Sequence, residues 1–303
     1  MPRSIPATMT DPTSLDRLLS RADALFDRLE TLLPPAAPAP NWDQAKAFRW
    51  RRRGTQGWLQ AVAHPHPIRL QDIETVDDQK ARIVANTAQF VAGRGANNVL
   101  LTGARGCGKS SLVKAVFNAY AAQGLRLIEV DKHDLVDLPD IVDLLDGRPE
   151  KFIIFCDDLS FDAGETAYKA LKSVLDGSVA APPDNVLIYA TSNRRHLMPE
   201  YFSENLETVR VDDEIHPGEA IEEKISLSER FGLWISFYPF SQNDYLAVFA
   251  HWAGVFGLSS DCIASHEREA LNWALSRGSR SGRVAWQFAR DLAGRLAGEA
   301  AAQ

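Results

Sequence analysis

Short apolar runs alternate with helical patterns through the middle of the chain. Between residues 68 and 240, the runs that predict strands are NNVLLTG, LRLIEV, KFIIFCDD, NVLIYATSN and LWISFYPF. The segments between them include SSLVKAVFNAYAAQG and AYKALKSVLDG, in which apolar residues recur at helical spacing. Because near-continuous apolar strands that alternate with helices are typical of a parallel sheet covered on both faces, this pattern predicts an α/β core.

The pattern changes on both sides of this core. After residue 241 we find three segments with helical spacing and no strand pattern, so residues 241–303 are predicted to form a small helical domain. At the other end, leucines and other apolar residues recur at helical spacing before the proline-rich run PPAAPAP. We therefore predict an amphipathic helix and a stiff linker in residues 1–40, a linker segment in 41–67, and the α/β core in 68–240.

The segment 41–67 contains the basic and aromatic run FRWRRRGTQGW. One interpretation is a patch for nucleic acid or an acidic partner, in which the arginines bind phosphates and Trp50 or Trp58 stacks on bases. The other is an amphipathic linker helix that packs its aromatic side chains and leaves its arginines in solvent. We favour the helix, because one short basic run in a chain of net charge −7 is usually a solvated face.

Composition restricts the class of protein further. Hydrophobic residues make up 45% of the 303 residues and charged residues 24%, which is typical of globular proteins. The three cysteines have no paired spacing, so we expect reduced thiols and no zinc site. The first residues lack the apolar core of a signal peptide, and no run of about 18 apolar residues occurs. These features predict a cytoplasmic protein without a membrane span.

The strongest chemical signal is GARGCGKSS, which lies between a predicted strand and a predicted helix. It matches the pattern G-x-x-x-x-G-K-[ST], whose glycines let backbone N–H groups surround a phosphate. Lys109 is expected to bind the β- and γ-phosphates of a nucleotide, and the Ser110 hydroxyl is expected to bind Mg²⁺. The nucleotide-binding residues predicted from the motif are Gly103, Ala104, Arg105, Gly106, Cys107, Gly108, Lys109, Ser110 and Ser111.

Two of these positions have a second interpretation. Ser111 also fits an ordinary residue in the first turn of the following helix. Cys107 lies near a predicted helix N-terminus, which lowers the pKa of a thiol and would suit a redox role. We favour the simpler interpretation, in which Cys107 is a small residue that fits the loop.

Two adjacent aspartates end the strand run FIIFCDD. A phosphate-loop enzyme needs an acid at the end of a neighbouring strand to hold Mg²⁺, and Asp157 fits this position. Asp158 then lies where a general base could activate the attacking water. The alternative for both is a strand-end acid that caps the following helix. Asn193 ends another strand, where its amide could bind a γ-phosphate oxygen or the water, although such asparagines are common in turns.

Two arginines complete the set of candidates. Arg230 is predicted near a helix C-terminus, where it is either stabilised by the helix dipole or acts as an arginine finger on ATP bound by a neighbouring subunit. Arg283 begins a helix of the C-terminal domain. Because a cation is unfavourable at a helix N-terminus unless an anion faces it, we predict that Arg283 contacts ATP, with Arg280 as the second choice.

Taken in order, GARGCGKS, FIIFCDD, ATSN, SERFG and SGR resemble the motifs of the AAA+ ATPases over residues 68–296. The runs DDLSF and TSNRRHLMPE are similar to a bacterial branch of that family long known as a domain of unknown function. The resemblance implies a P-loop AAA+ core with a five-stranded parallel sheet and helices on both faces. It also implies a helical C-terminal lid and assembly into a ring, often of six subunits.

The same resemblance implies further features of the site. The strand of Asn193 should lie between the phosphate-loop strand and the strand of the two aspartates. Adenine should bind just upstream of the loop, where the candidates are Ile73 and Val76, with Leu70 beside them. Most AAA+ proteins have Asp-Glu where this chain has Asp-Asp, so hydrolysis is expected to be slow or to need a closed subunit interface.

These features predict an oligomeric ATPase that hydrolyses Mg-ATP and remodels a macromolecular client, a protein or nucleic acid that the sequence does not identify. The alternative is an ATP-gated adaptor or loader that acts on DNA and hydrolyses ATP slowly. A small-molecule kinase fits poorly, because it needs an acceptor pocket instead of an asparagine sensor, a helix-end arginine and a separate lid.

Overall fold

The computed structural model describes residues 12–32, 39–54, 56–161, 166–177, 183–193, 209–211, 214–216 and 228–301. Contacts divide the chain into two units, residues 1–39 and residues 40–303. The first unit contains helix α1 (Pro12–Leu32), which exposes Leu19, Leu25 and Phe26. None of the helices in the described ranges combines the length and the apolar character that a membrane span requires.

The second unit holds the remaining elements. Its strands are β1 (Ala47–Arg53), β2 (Gln56–Ala61), β3 (Val99–Gly103), β4 (Leu125–Glu129), β5 (Lys151–Cys156), β6 (Val186–Ser192), β7 (Val209–Val211), β8 (Glu214–His216) and β9 (Leu233–Phe237). Its helices are α2 (Asp77–Val91), α3 (Lys109–Tyr120), α4 (Leu138–Leu145), α5 (Thr166–Asp176), α6 (Gln242–Val255), α7 (Ser260–Ser276) and α8 (Gly282–Ala301).

The described residues form a seven-stranded sheet in the order β2-β1-β4-β5-β6-β3-β9, beside a separate hairpin of β7 and β8. The five strands from β4 to β9 in this order are parallel, and β6 lies between β3 and β5. This is the arrangement that the AAA+ resemblance implied, so the predicted fold is confirmed. Because parallel strands end at one edge of a sheet, the residues after β3, β5 and β6 meet there.

The sheet is covered on both faces because its strands are apolar on both sides. In β5, Phe152 and Ile154 belong to the hydrophobic core on the side of α4 and α5, while Ile153 and Phe155 belong to the core on the side of α2 and α3. All four side chains are fully buried. Each such burial contributes about 1.5–3 kcal/mol, so the strand is fixed firmly and its C-terminal end has a definite position.

The interpretation of residues 41–67 as an amphipathic linker helix is wrong for residues 47–53 and 56–61. These residues form strands β1 and β2, and β1 pairs in parallel with β4 through Ala47, Phe48 and Arg49. The physical reason is an alternation with period two, since Phe48 and Trp50 are buried whereas Arg49 and Arg51 are exposed. The hairpin therefore extends the predicted five-stranded sheet by two strands.

Helices α6, α7 and α8 follow the sheet and lie where the sequence predicted helices. They enclose a core that includes Tyr245, Phe249, Ala285 and Phe288. The Tyr245 hydroxyl donates a hydrogen bond to the Ala270 carbonyl at 3.0 Å, and burial raises the pKa of Tyr245 to about 12. This C-terminal region thus has its own apolar core.

Candidate functional site

The loop between β3 and α3 has a backbone that requires glycine. Gly103 has a φ of 135°, and a Cβ built there would lie 2.0 Å from the Phe237 carbonyl oxygen. Gly106 has a φ of 79°, in the left-handed region that side chains rarely adopt. The loop leads directly into the N-terminus of α3, whose free N–H groups favour an anion. This is the geometry of a phosphate-binding loop.

Lys109, the first residue of α3, points its ammonium group into this loop. Its Nζ donates hydrogen bonds to the carbonyls of Gly103 at 2.7 Å and Ala104 at 2.8 Å, and to Asn193 Oδ1 at 3.0 Å. Lys109 is only 5% exposed. Burial lowers the pKa of Lys109, and the negative charges of Asp157 and Asp158 partly oppose this shift. A buried lysine in this position is available to a phosphate that enters the loop.

Asp157 follows β5 and receives two hydroxyl groups on one oxygen. Its Oδ1 accepts hydrogen bonds from Ser110 Oγ and from Thr191 Oγ1, each at 2.5 Å. The Ser110 hydroxyl and the Asp157 carboxylate are oxygen ligands of the kind that Mg²⁺ prefers, so these residues fit the ion. Within the described ranges no group of three or more histidine, cysteine, aspartate or glutamate residues could hold a metal.

Asp158 points in a different direction from its neighbour. It has a φ of 54°, and its backbone N–H donates to Thr191 Oγ1 at 2.9 Å. Its Oδ1 accepts a hydrogen bond from Asn193 Nδ2, and its Oδ2 lies 3.7 Å from the guanidinium of Arg105. The side chain is 57% exposed, so water can reach this carboxylate.

Asn193 joins Lys109 to Asp158. Its amide oxygen accepts from Lys109 and its amide nitrogen donates to Asp158. The sequence prediction for the site did not include Thr191, whose buried hydroxyl contacts both aspartates. Thr191 is the second-last residue of β6, Asn193 follows the end of that strand, and both contact Asp158. Their spacing within ATSN was the signal that could have identified Thr191.

The structure also joins the C-terminal region to the phosphate loop. The Gly282 N–H donates to the Gly106 carbonyl at 2.9 Å, and a Cβ at Gly106 would lie 2.6 Å from the Ser281 Cβ. Ser281 caps α8, since its Oγ accepts from the Val284 N–H at 3.4 Å. Arg283 is in the first turn of that helix, next to this contact. Its predicted contact with ATP remains a prediction.

Arg230 makes its contacts outside the group of residues around Lys109. Its Nε donates to the Asp176 carboxylate, at the C-terminal end of α5. The network around Lys109 thus consists of Ser110, Asp157, Asp158, Thr191 and Asn193, whereas Arg230 is joined to α5. An arginine finger directed at a neighbouring subunit remains a prediction for this residue.

The two candidate adenine contacts belong to the core on the side of α2 and α3. Ile73 and Val76 are buried in it together with Cys107. The Cys107 thiol is 2% exposed, and burial raises its pKa against the opposing charge of Lys109. Because a buried thiol with a raised pKa is a poor nucleophile, these features argue against the redox interpretation of Cys107.

The segment before α2 also contacts helix α6. His251 of α6 has Nε2 3.5 Å from Asp72 Oδ1 and Nδ1 3.2 Å from Glu74 Oε1. Asp72 is buried, which tends to raise its pKa, but hydrogen bonds and the charge of Arg69 lower the pKa overall. The C-terminal helices therefore touch both the loop and the segment that holds Ile73.

A family model described as "Protein of unknown function (DUF815)" matches residues 43–296. No curated protein matches the sequence significantly. Among solved structures, one single-residue variant of RuvB from Thermotoga maritima is 15% identical with a TM-score of 0.49, covering 74% of this chain and 63% of that chain. Another variant of the same RuvB is 16% identical with a TM-score of 0.46, covering 74% and 64%.

A chain in the Escherichia coli MS115-1 HORMA:CdnC:Trip13 complex is also similar, at 12% identity and a TM-score of 0.45. The similarity covers 73% of this chain and 90% of that one. In the two RuvB structures, this chain spans less than two thirds of the length of the RuvB chain. All of these structures are too distant to indicate an activity.

Proposed function

Because the chain belongs to the DUF815 family and has an AAA+ fold, we propose that it is an ATPase that binds and hydrolyses Mg-ATP. The observation that carries this proposal is the single hydrogen-bonded network at the C-terminal edge of the sheet. It is formed by Lys109, Ser110, Asp157, Asp158 and Asn193, and the Thr191 hydroxyl joins its two parts. A lysine, a hydroxyl, two acids and an amide at the mouth of a phosphate loop are the groups that phosphoryl transfer needs.

In this proposal, the loop residues Gly103 to Ser111 bind the phosphates, and Lys109 exchanges at least one of its present acceptors for a phosphate oxygen. Ser110 and Asp157 hold Mg²⁺, which would neutralise phosphate charge during the reaction. Both side chains are already within hydrogen-bonding distance of each other, so little rearrangement is needed. Ile73 and Val76 provide apolar contacts for the adenine.

Asp158 acts as the general base. Water attacks the γ-phosphorus as the bond to the ADP leaving group breaks, and Asp158 accepts the proton of that water. Asn193 supports this role because it already contacts both Lys109 and Asp158, through the two ends of its amide. The present contact between Asp158 and Arg105 has to loosen for the carboxylate to face the water.

The proposed assembly is a homo-oligomeric ring in the cytoplasm that acts on a protein or nucleic-acid client. Arg230 then leaves Asp176 to contact ATP in the neighbouring subunit, and Arg283 contacts ATP from the C-terminal region. The contact between Gly106 and Gly282 supports a coupling of nucleotide state to movement of these helices, because a phosphate in the loop changes the surroundings of that contact. Such movement is the proposed means of remodelling the client.

The proposal is tested by ATP binding and turnover of the purified protein with Mg²⁺. We expect Lys109→Ala to abolish ATP binding, and Asp158→Asn to bind ATP normally but to hydrolyse it at least about tenfold more slowly, because the base is lost. Asp78→Asn is the matched control, since Asp78 is an exposed acid in α2. ATP binding that survives Lys109→Ala would contradict the nucleotide site. Turnover that is unaffected by Asp158→Asn would contradict the role of the base alone.

Arg230 provides the test of the oligomer. We expect Arg230→Ala to reduce turnover strongly while leaving ATP affinity of the monomer nearly unchanged, since the finger acts on another subunit. Mass measurement with and without ATP checks whether a ring forms. A protein that stays monomeric at all concentrations while hydrolysing ATP normally would exclude this part of the proposal.

A second candidate function is an ATP-gated adaptor or loader that acts on DNA with slow hydrolysis. It is favoured by Asp158, which is one methylene shorter than the usual glutamate and has both oxygens near donors, Asn193 and Arg105. Such a base is restrained before the reaction begins. DNA binding that depends on ATP but not on its hydrolysis would support this candidate, and rapid turnover without DNA would argue against it.

A further inference from the structure

We propose that the exposed face of the β1–β2 hairpin binds single-stranded nucleic acid. We call this surface the arginine face, and it consists of Arg49, Arg51, Arg53, Gln56, Trp58 and Gln60. The inference names a partner for the second candidate function above, but it requires neither ATP nor turnover. Its test can therefore fail or succeed independently of the ATPase proposal.

The pairing of the strands creates this face. Arg49 lies opposite Gln60, Arg51 opposite Trp58, and Arg53 opposite Gln56. Residues directly opposite in an antiparallel pair point to the same side, so all six side chains share one face. The hydrogen bond from Arg51 Nε to Gln60 Oε1, at 2.8 Å, agrees with this arrangement.

The arginine face continues the face of the sheet that α2 and α3 cover, at a place where the side chains are exposed. Ala47, which shares the side of Arg49 and Arg51 in β1, belongs to the core on the side of α2 and α3. Beyond Ala47, this side of the hairpin is exposed at Arg49, Arg51 and Arg53. The sheet therefore presents a flat polar surface at the point where its helical cover ends.

The opposite side of the hairpin fixes the arginine face in place. Phe48, Trp50 and Leu59 are buried in the core on the side of α4 and α5. Trp50 Nε1 donates to Asp137 Oδ2 at 3.0 Å, and a Cβ at Gly57 would lie 2.0 Å from the Trp50 ring. A surface anchored in this way loses little conformational entropy when it binds a ligand, which favours affinity.

The charges of the arginine face are only partly neutralised by the protein. Arg49 pairs with Glu129 at 2.7 Å, whereas within the described ranges Arg51 and Arg53 have no ion pair. Arg52 lies on the other side and pairs with Asp137 at 3.4 Å, so it does not belong to the face. Arg51 and Arg53 thus offer guanidinium groups whose geometry suits phosphate oxygens.

Trp58 selects among polyanions. Its side chain is half-buried, and it lies directly opposite Arg51 on the same face. A tryptophan beside arginines can stack on an unpaired base while the arginines bind the flanking phosphates. The carboxylates of an acidic peptide give Trp58 no base to stack on, and duplex DNA keeps its bases stacked. The combination therefore favours a single strand.

The arginine face adjoins the candidate ATP site. A cavity of about 360 Å³ is lined by Arg49 and Arg51 together with four acids, which are Glu129, Asp131, Asp134 and Asp157. Asp157 is the proposed magnesium-side acid. A strand bound to the arginine face would therefore lie close to the groups whose arrangement depends on the nucleotide.

Fluorescence anisotropy with a labelled oligo-dT of about twenty nucleotides, in nucleotide-free buffer over a range of salt concentrations, tests this inference. We expect Arg51→Gln/Arg53→Gln to weaken binding and to reduce the slope of log affinity against log salt by about 1.4, since two phosphate contacts are lost. We expect Trp58→Ala to weaken binding about fivefold or more, and Trp58→Phe to restore most of the affinity.

The matched control is Arg94→Gln/Arg268→Gln, which removes the same charge from exposed positions in other elements. It should leave the affinity and the salt slope within about twofold of the unaltered protein. Circular dichroism of each variant checks that the fold is retained. An affinity that falls equally in the control, or that does not change in Arg51→Gln/Arg53→Gln, would overturn the inference. Equal binding of a polyglutamate peptide without dependence on Trp58 would overturn it in favour of an acidic protein partner.

Discussion

Replacing Thr191 by valine removes one hydroxyl and leaves the side-chain shape nearly unchanged. That hydroxyl donates to Asp157 at 2.5 Å and accepts from the Asp158 N–H at 2.9 Å. A hydrogen bond to a charged group contributes about 1.5–3 kcal/mol, and an amide left without its partner costs about 1–3 kcal/mol. Because Thr191 is buried, water cannot replace the hydroxyl easily. We expect Thr191→Val to lower the free energy of unfolding by about 2–4 kcal/mol.

The effect on catalysis follows from the position of the two acids. Asp157 keeps its hydrogen bond from Ser110, but Asp158 loses the contact that orients its backbone in the left-handed conformation. Misplacement of a catalytic group by about 1 Å can reduce a rate about 100-fold, so we expect kcat for ATP to fall by about 10- to 100-fold. The affinity for ATP should change less, since Lys109 and the loop are untouched.

The assays are urea unfolding and steady-state ATP hydrolysis of the same preparations. Thr191→Ser keeps the hydroxyl and is the control, so it should retain most of the stability and of kcat. If Thr191→Val is as active as the unaltered protein, Thr191 does not position the aspartates. If Thr191→Ser, which keeps the hydroxyl, fails as badly as Thr191→Val, loss of the hydroxyl does not account for the effect and the positioning role is wrong.

Two further predictions concern the loop and the thiols. Gly106→Ala should raise the KM for ATP and weaken the contact with the C-terminal helices, because the new Cβ meets Ser281. Gly93→Ala is the control, since Gly93 has a similar φ of 71° but open space around it. Kinetic assays should show no change in that control. A thiol reagent at mildly alkaline pH should label Cys262, whereas the buried Cys107 and Cys156 should react only after the protein is unfolded. Burial raises the pKa of Cys156 to about 12. Mass spectrometry counts the labels.

Much of the candidate site could be predicted from the sequence because its signals are local. The phosphate loop needs glycines at fixed positions, and the acids must follow an apolar strand directly. The sequence alone therefore identifies Lys109, Asp157 and Asn193 as candidates. Their assembly into one network depends on strand order, which came from the AAA+ resemblance and not from any local pattern.

The β1–β2 hairpin could not be predicted in the same way. Its arginines occupy both faces at Arg51, Arg52 and Arg53, which obscures the alternation of Phe48 and Trp50. The pairing that stabilises β1 is with β4, far along the chain, and no short window of sequence contains it. Long-range contacts decided between strand and helix here, as they often do for short segments with mixed patterns.

The backbone conformation at Asp158 separates the two roles proposed for the adjacent aspartates. If the backbone were extended at both residues, the side chains of Asp157 and Asp158 would point to opposite faces, and their negative charges would still repel each other. The left-handed backbone at Asp158 turns its carboxylate towards Asn193 and Arg105, while Asp157 faces Ser110 and Thr191. Neutral hydroxyl donors can yield to a cation, whereas the exposed carboxylate of Asp158 is open to water. The local conformation, more than the identity of the residues, therefore makes one acid suitable for a metal and the other for a proton.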